Sequence, residues 1–164
     1  MMSTKAHKTN AARILDALGI KYELLSYEVD VNDLGAENVA KKCGIPLEQA
    51  VKTLVLEGDK TGILAACVPG DCEIDLKKLA KLSGNKKVEM VPQKNILALT
   101  GYIRGGVSPL GMKKSYPTYI EEMVFLYDDI ICSAGQRGLQ LHLNPQDLQK
   151  AVEKCTVGDI SEEK

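Results

Sequence analysis

The spacing of apolar residues predicts five helical segments along the chain. Apolar positions three or four residues apart mark one face of each helix, and capping residues or glycines mark its ends. Asn10 and Asp75 are predicted N-caps, and Gly19, Gly44 and Gly84 are predicted stops. The predicted segments are 10–19, 35–43, 75–84, 92–101 and 144–155.

Shorter apolar runs between these helices predict strands. Residues 50–58 and 62–69 are two such runs joined by a polar loop, a pattern typical of a β-hairpin. The other predicted strands are 22–29, 88–91, 116–120, 129–133 and 139–143. Because short strands alternate with short helices, and no linker or repeat divides them, we expect one mixed α/β or α+β domain over residues 1–164. The acidic end of the chain, residues 161–164, is expected to fray.

Composition narrows the class of protein. The chain is 45% hydrophobic and 26% charged, which is typical of a globular domain and excludes disorder. A net charge of -1 gives no overall basic surplus for gripping long nucleic acid, and six Tyr and one Phe are few rings for a base-stacking platform. The five cysteines have no CxxC spacing, and no signal peptide or apolar span is visible, so we expect free thiols, a cytoplasmic location and no membrane.

Several well-known catalytic motifs are absent. Residues 106–111 have the glycine spacing of a phosphate-binding loop, but Met112 stands where that loop needs lysine, and Pro109 removes an amide donor. The sequence contains no GxGxxG, no His-carboxylate cluster with metal-ligand spacing and no support for a Ser-His-Asp arrangement. We therefore expect no Walker-type nucleotide site, no metal and no cofactor.

Two other features point to a pocket. Lys52 lies inside an apolar run, where it either faces solvent from a strand edge or strand start, or is itself a cation held at a pocket wall. Glycines are concentrated in residues 101–111, the glycine-rich loop, and in residues 133–138, the SAGQRG turn. They either form tight turns or let backbone amides approach a ligand. The lysine and the two glycine segments together favour a pocket.

The order of four segments resembles the YbaK/EbsC family. These segments are VKTLV (51–55), DLKKLAKLSGNKKVEM (75–90), GYIRGGVSPLGMKK (101–114) and SAGQRGLQL (133–141). The family consists of free-standing aminoacyl-tRNA deacylases similar to the editing domain inserted in bacterial prolyl-tRNA synthetases. The likeness covers nearly the whole chain and implies a barrel-like mixed β-sheet surrounded by short helices, with one pocket.

The resemblance also implies which residues form that pocket. Lys52 corresponds to the central pocket lysine, the predicted catalytic residue, and Tyr27 to the pocket tyrosine. The predicted glycine and serine walls are Gly101, Gly105, Gly106, Ser108, Ser133 and Gly135. The chain departs from the family where residues 31–35 replace a common TNFG stretch, and where Gln140 replaces an acidic residue that commonly follows RGL. The second departure bears on recognition of the substrate amino group and hence on substrate choice.

The activity implied by the resemblance is hydrolysis of mischarged Cys-tRNA(Pro), in trans to prolyl-tRNA synthetase. In the family's proposed route, the substrate thiol attacks its own ester carbonyl and releases the tRNA and a cyclic thiolactone. Lys52 would hold the ribose or ester oxygen, and backbone amides near Gly101 and Gly105 would stabilise the oxyanion. Aminoacyl-tRNA and prolyl-tRNA synthetase are therefore the expected partners.

Two alternative functions stay open at this point. One is deacylation of another mischarged tRNA, such as Ala-tRNA, by a bound water. The other is a module that binds an aminoacyl-nucleotide or a partner protein without turnover. The role of the surface lysines is equally open, since they form either a phosphate-contacting rim or an ordinary solvated surface. These lysines are Lys77, Lys78, Lys81, Lys86, Lys87, Lys113 and Lys114.

Overall fold

Short helices and strands alternate along the chain in the structure, a computed structural model that describes residues 8–164. The helices are α1 (Asn10–Ala17), α2 (Ala36–Cys43), α3 (Leu76–Ser83), α4 (Ile96–Thr100) and α5 (Pro145–Ala151). The strands are β1 (Glu23–Ser26), β2 (Val51–Gly58), β3 (Gly62–Pro69), β4 (Cys72–Ile74), β5 (Val88–Met90), β6 (Thr118–Glu121), β7 (Ile130–Gln136), β8 (Leu139–Leu143), β9 (Cys155–Gly158) and β10 (Ser161–Glu163). In the described part of the chain, short 3-10 helices lie at Leu47–Gln49, Gln93–Asn95 and Glu122–Leu126.

The strands form three sheets. The largest has the order β5-β2-β3-β6-β9, in which the first two pairings are antiparallel and the last two are parallel. A second sheet, β1-β8-β7, is antiparallel and contacts the first through a parallel bridge between Ala50 and Ile131. The third pairs β10 with β4. The predicted mixed α/β class is confirmed, although the large sheet is open and does not close into a barrel.

Local capping rules account for the helix ends. The Asp75 carboxylate accepts hydrogen bonds from the backbone N–H groups of Lys77 and Lys78 at the start of α3. Helices α2 and α3 end at Gly44 and Gly84, whose φ angles of 69° and 79° are left-handed. These ends agree with the sequence prediction. At α1 the cap is the side chain of the preceding threonine rather than Asn10, which is the first helical residue.

Two hydrophobic clusters lie on opposite sides of the hairpin formed by β2 and β3. The larger cluster packs α1 and α5 against β7 and β8, with Leu15, Leu141 and Leu148 fully buried. The other packs α3 against β2 and β3 around Leu56 and Leu79. A smaller cluster lies beneath α2, on the face of the second sheet that points away from the larger cluster. Ala50 and Val39 of this smaller cluster also line a cavity.

The end of the chain differs from the sequence prediction. The last helix stops at Ala151, short of residue 155, and Cys155–Gly158 instead forms β9 alongside β6. Residues 161–163, predicted to fray, form β10 and pair with β4. The predicted strand over residues 22–29 is also shorter, since β1 ends at Ser26. Partners that are remote in the sequence explain the two C-terminal differences, because both β9 and β10 pair with strands much earlier in the chain.

Candidate active site

A cavity of about 420 Å³ lies where the two larger sheets meet. Its walls come from β2, from Ser133 on β7 and Gln140 on β8, from α2, and from the segments 90–96 and 104–107. Small-molecule sites in proteins commonly have volumes of about 300–1,000 Å³. A second cavity of about 160 Å³, beside Tyr116 and Lys154, contains none of the predicted site residues.

Lys52 is half-buried in the wall of the larger cavity. Its strand, β2, pairs with β3 along its whole length and places Lys52 opposite Val68, whereas β5 pairs only with residues 56–58 at the other end of the strand. Its Nζ donates a hydrogen bond of 2.7 Å to the carbonyl oxygen of Cys72. Because an ammonium group has three donors, it retains further N–H groups for a ligand. Burial lowers the pKa of Lys52, and the positive charge of the nearby Lys164 lowers it further.

Ser133 and Gln140 form a polar pair on the opposite wall. They are directly opposed across β7 and β8, on the sheet face that α2 covers. The Ser133 hydroxyl accepts a hydrogen bond of 3.1 Å from the backbone N–H of Gly135. Gln140 is only 6% exposed. The neighbouring side chains in β8, those of Leu139 and Leu141, point into the larger hydrophobic cluster, so strand alternation directs Gln140 to the cavity side.

The glycine-rich loop supplies the third side of the cavity. Gly105 lines it with a φ of 83°, a left-handed conformation that favours glycine. The backbone N–H of Gly105 has no hydrogen-bond acceptor within residues 8–164. Arg104 also lines the cavity, and its guanidinium lies 3.5 Å from the Gln93 side-chain oxygen. The Nε of Arg137 donates to the carbonyl oxygen of Arg104 at 2.8 Å and fixes the loop from outside.

Gly106 and Gly135 have a packing role in the structure and do not line the cavity. A Cβ atom at Gly106 would lie 3.1 Å from the backbone nitrogen of Arg137. One at Gly135 would lie 2.9 Å from the ring of Tyr102. Both glycines therefore permit the glycine-rich loop to pack tightly against the SAGQRG turn, and this contact holds Gly105 in place.

Three more predicted residues lie outside the cavity lining. Tyr27 is half-buried just after β1. The backbone N–H of Gly101 donates to the carbonyl oxygen of Leu97 at 2.9 Å, so it is not free for an oxyanion. Ser108 is fully buried, and its hydroxyl accepts from the backbone N–H of Leu110 at 3.2 Å. The structure thus brings together Lys52, Gly105 and Ser133, and the proposed roles of all eight residues stay predictions.

The electrostatic character of the cavity is cationic. Lys52 and Arg104 are the charged residues that line it among the described part of the chain, and no Asp, Glu, His, Cys or Tyr does so. The cysteines are unpaired, and burial raises the pKa of the Cys67 thiol to about 12. Within residues 8–164 no group of three or more His, Cys, Asp or Glu is placed to hold a metal ion. The side chains that line the cavity therefore provide cations, amides and hydroxyls. Apart from the weakly acidic hydroxyls, the lining contains none of the usual protein nucleophiles or bases.

Sequence reasoning did not assign Arg104 to the site. The available signal was its rarity, since only three of the 21 cations are arginine and Arg104 lies within the glycine-rich loop. Gln140 was identified only as a departure from the resembled family. The apolar walls contributed by Val39 and Ile96 carried no sequence signal, because their side chains look like ordinary helix positions until the fold brings them to one cavity.

This combination defines an α/β protein with a ligand-sized cavity that is cationic and has no acidic group among the described residues that line it. Residues 32–151 match the family model described as the aminoacyl-tRNA editing domain, and the chain belongs to this family. In the structure, no helix of the described residues has the length and apolar content needed to cross a membrane.

Similarity to known proteins covers most of the chain. EbsC of Enterococcus faecalis, named for deacylation of Cys-tRNA(Pro) and Cys-tRNA(Cys), is 48% identical over 94% of this chain and 92% of its own length. A solved structure described as a trans-editing enzyme for prolyl tRNA synthetase has a TM-score of 0.78 and 26% identity, and covers 93% of this chain and 97% of its own. The proline–tRNA ligase of Cupriavidus necator is 30% identical over 62% of this chain, which spans only 18% of that ligase.

Proposed function

We propose that this protein is a trans-editing deacylase that removes cysteine from mischarged Cys-tRNA(Pro). Membership of the editing family, the substrates for which EbsC is named and the likeness to a trans-editing structure all support this assignment. The observation that carries the chemistry is the cavity itself. It presents a partly buried lysine but no Cys, His, Asp or Glu among its lining residues to attack an ester or activate a water.

Such a cavity suits a substrate that brings its own nucleophile. Cysteine, alanine and proline side chains are of similar size, and one methylene in a pocket is worth only about 1–3 kcal/mol of discrimination. A thiol provides a chemical distinction that size does not. A free thiol has a pKa of about 8.5, so an adjacent positive charge increases its thiolate fraction near neutral pH.

The reaction then proceeds by attack of the substrate sulfur on the substrate's own carbonyl carbon. The carbon–sulfur bond forms, the bond from the carbonyl carbon to the ribose oxygen breaks, and the thiol proton ends on the released ribose hydroxyl. The products are free tRNA and a cyclic thiolactone. Lys52 donates to the ribose or ester oxygen, and the free N–H of Gly105 donates to the oxyanion. One such donor is worth about 10²–10³ in rate in well-studied acyl transfer.

The binding of tRNA is expected to be weak and aided by a partner. A net charge of -1 gives little overall attraction for the phosphate backbone. We therefore assign selection of tRNA(Pro) to a complex with prolyl-tRNA synthetase, and a cytoplasmic location follows from that role. Association with isolated tRNA should weaken only slightly as salt increases, whereas a steep salt dependence would contradict this division of labour.

The test of the proposed function is deacylation of Cys-tRNA(Pro), Ala-tRNA(Pro) and Pro-tRNA(Pro) by the wild-type protein and Lys52→Ala. We expect turnover of the cysteinyl ester alone and a loss of at least about 100-fold in the variant. Lys60→Ala is the matched control, because Lys60 is an exposed lysine in the loop after the same strand.

The other outcomes of this test would change either the proposed function or the role of Lys52. Turnover of the alanyl ester as well as the cysteinyl ester would indicate attack by a bound water. Turnover of none of the three esters by folded protein would reject the proposal in favour of a binding module. Full activity of Lys52→Ala would show that the lysine has no part in the reaction.

A further inference from the structure

Gln140 is a buried polar residue whose side chain has no hydrogen-bond partner among residues 8–164. It is 6% exposed, and its amide makes no hydrogen bond with any of residues 8–164. A buried amide without a hydrogen bond costs free energy, so nearly all such groups in folded proteins have a partner. The Gln140 amide is not among the completely buried unpartnered atoms, since His142 Nε2 alone has that status in the described residues. It therefore keeps surface that is open to the cavity it lines.

The surroundings of this amide carry positive charge only. Strand β1 opposes it with Leu25 and strand β7 with Ser133, neither of which is charged. Helix α2 lines the cavity with apolar side chains. Strand β2 contributes Lys52 and the glycine-rich loop contributes Arg104, and no carboxylate lines the cavity. An ammonium group entering this space would meet two cations and no counter-ion, which disfavours it.

Resting on the proposed function, we propose that Gln140 binds the α-amino group of the aminoacyl ester in its uncharged form. An uncharged amine has two N–H donors and one lone pair. A glutamine amide has the complementary set, a carbonyl oxygen that accepts and an NH₂ group that donates. The same residue would be poorly matched to an ammonium, which has donors only and gains most from a carboxylate.

This assignment has a consequence for pH dependence. A free α-amine has a pKa of about 7.7–8.0, and a neighbouring ester lowers it, so the uncharged fraction rises at least about tenfold between pH 6 and pH 8.5. Substrate affinity should rise by the same factor over that interval. A protein that bound the ammonium would show the opposite slope.

The experiment uses a substrate analogue that does not react, so that binding is measured independently of turnover. The probe is cysteinyl-adenosine in which an amide replaces the ester, and its Kd is measured by calorimetry between pH 6 and pH 8.5. For the wild-type protein we expect affinity to rise at least about tenfold across this range. The N-acetylated analogue has no titratable amine and is the control for titration of Lys52 and of the thiol, and we expect its affinity to be nearly constant.

Two variants at the same position make the test specific. Gln140→Glu supplies the missing carboxylate, so its affinity for the analogue should be higher at pH 6 than at pH 8.5. Gln140→Leu removes the acceptor and donor without adding charge, and we expect its affinity at pH 8.5 to fall about tenfold. If Gln140→Glu does not fold, as judged by circular dichroism, the wild-type slope and Gln140→Leu still decide the question.

The outcomes separate this inference from the proposed function. A wild-type affinity that is constant, or that rises toward pH 6, overturns the assignment of the uncharged amine. A Gln140→Leu protein with wild-type affinity at pH 8.5 overturns the role of Gln140. If the analogue binds with the expected slope but Cys-tRNA is not turned over, the amine site is upheld and the deacylase function is rejected.

Discussion

Two buried polar side chains in this protein, Glu121 and Gln140, have opposite surroundings. Glu121 is 1% exposed, and its carboxylate accepts four hydrogen bonds, from the backbone N–H groups of Met123, Ile160 and Ser161 and from the Ser161 hydroxyl. Gln140 is 6% exposed and its amide has no partner in residues 8–164. A polar group saturated by protein holds the fold together, whereas one left open toward a cavity is available to a ligand.

The same contrast extends to the charged residues beside each position. We call Glu121, Ile160 and Ser161 the C-terminal clasp. Beside the clasp, Lys78 is paired with Asp159 at 3.1 Å and donates to the Ser161 carbonyl oxygen at 3.0 Å. At the cavity, Arg104 forms no ion pair within the described residues. The fold therefore satisfies its charges at the clasp and leaves them available at the cavity.

The largest expected effect is loss of stability on replacing Glu121. Glu121→Ala leaves buried backbone N–H groups without acceptors and should lower the free energy of unfolding by about 3–5 kcal/mol, or Tm by roughly 6–20 °C. Chemical denaturation measures this change, and Glu122→Ala, an exposed neighbour, is the matched control. The deacylation rate per folded molecule should stay within about twofold. A loss below about 1 kcal/mol would mean that the clasp does not hold the fold.

The clasp also shows where prediction from sequence stops. The donors Ile160 and Ser161 lie 39 and 40 residues beyond Glu121 in the sequence. The strands before and after Ile160, β9 and β10, pair with β6 and β4. Local patterns predicted a longer helix and a frayed end because they contain no information about such distant partners. The caps at Asp75, Gly44 and Gly84 were predicted correctly because each depends on residues within one turn.

Some of the residues that line the cavity could be predicted from the sequence, and others could not. Lys52 was noticeable because a lysine in an apolar run is unusual, and the glycine-rich loop because of its composition. The likeness to a known family linked them, and the structure brings Lys52, Gly105 and Ser133 to one cavity. Gly106 and Gly135 look the same as Gly105 in sequence, yet they pack the loop against the turn. Only three-dimensional packing separates these two uses of glycine.

The next largest effect is expected from replacing Arg104, the cavity arginine that forms no ion pair within residues 8–164. Arg104→Gln should raise KM for Cys-tRNA about tenfold with little change in kcat, because we expect the guanidinium to bind a phosphate of the tRNA end. The dependence of log KM on log salt should decrease in slope by about 0.7 for one lost phosphate contact on a single strand. Arg13→Gln, an exposed arginine on α1, is the control. Equal KM values for the two variants would remove Arg104 from the site.

The protonation of Lys52 gives a smaller effect that is confined to alkaline pH. Burial and the charge of Lys164 place the pKa of Lys52 below the ordinary value of 10.5. If the ammonium form acts, kcat falls as pH rises through this lowered pKa, so the decline begins below that of an ordinary lysine. Lys164→Gln removes one repulsive charge and should move the decline to higher pH. Rates are corrected for uncatalysed ester hydrolysis, and an unmoved decline would exclude this coupling.

The smallest expected effect is the one that tests the comparison most directly. Gln140→Leu replaces an amide that has no partner within residues 8–164 by an apolar side chain of similar size, so the free energy of unfolding should change by no more than about 1 kcal/mol. The matched variant is Glu121→Leu, in which the same residue replaces a carboxylate with four bonds, and about 3 kcal/mol or more should be lost. Urea denaturation of both proteins measures the difference. A loss above about 2 kcal/mol in Gln140→Leu would show that the amide serves the fold, and the distinction between a saturated clasp and an open cavity would then fail.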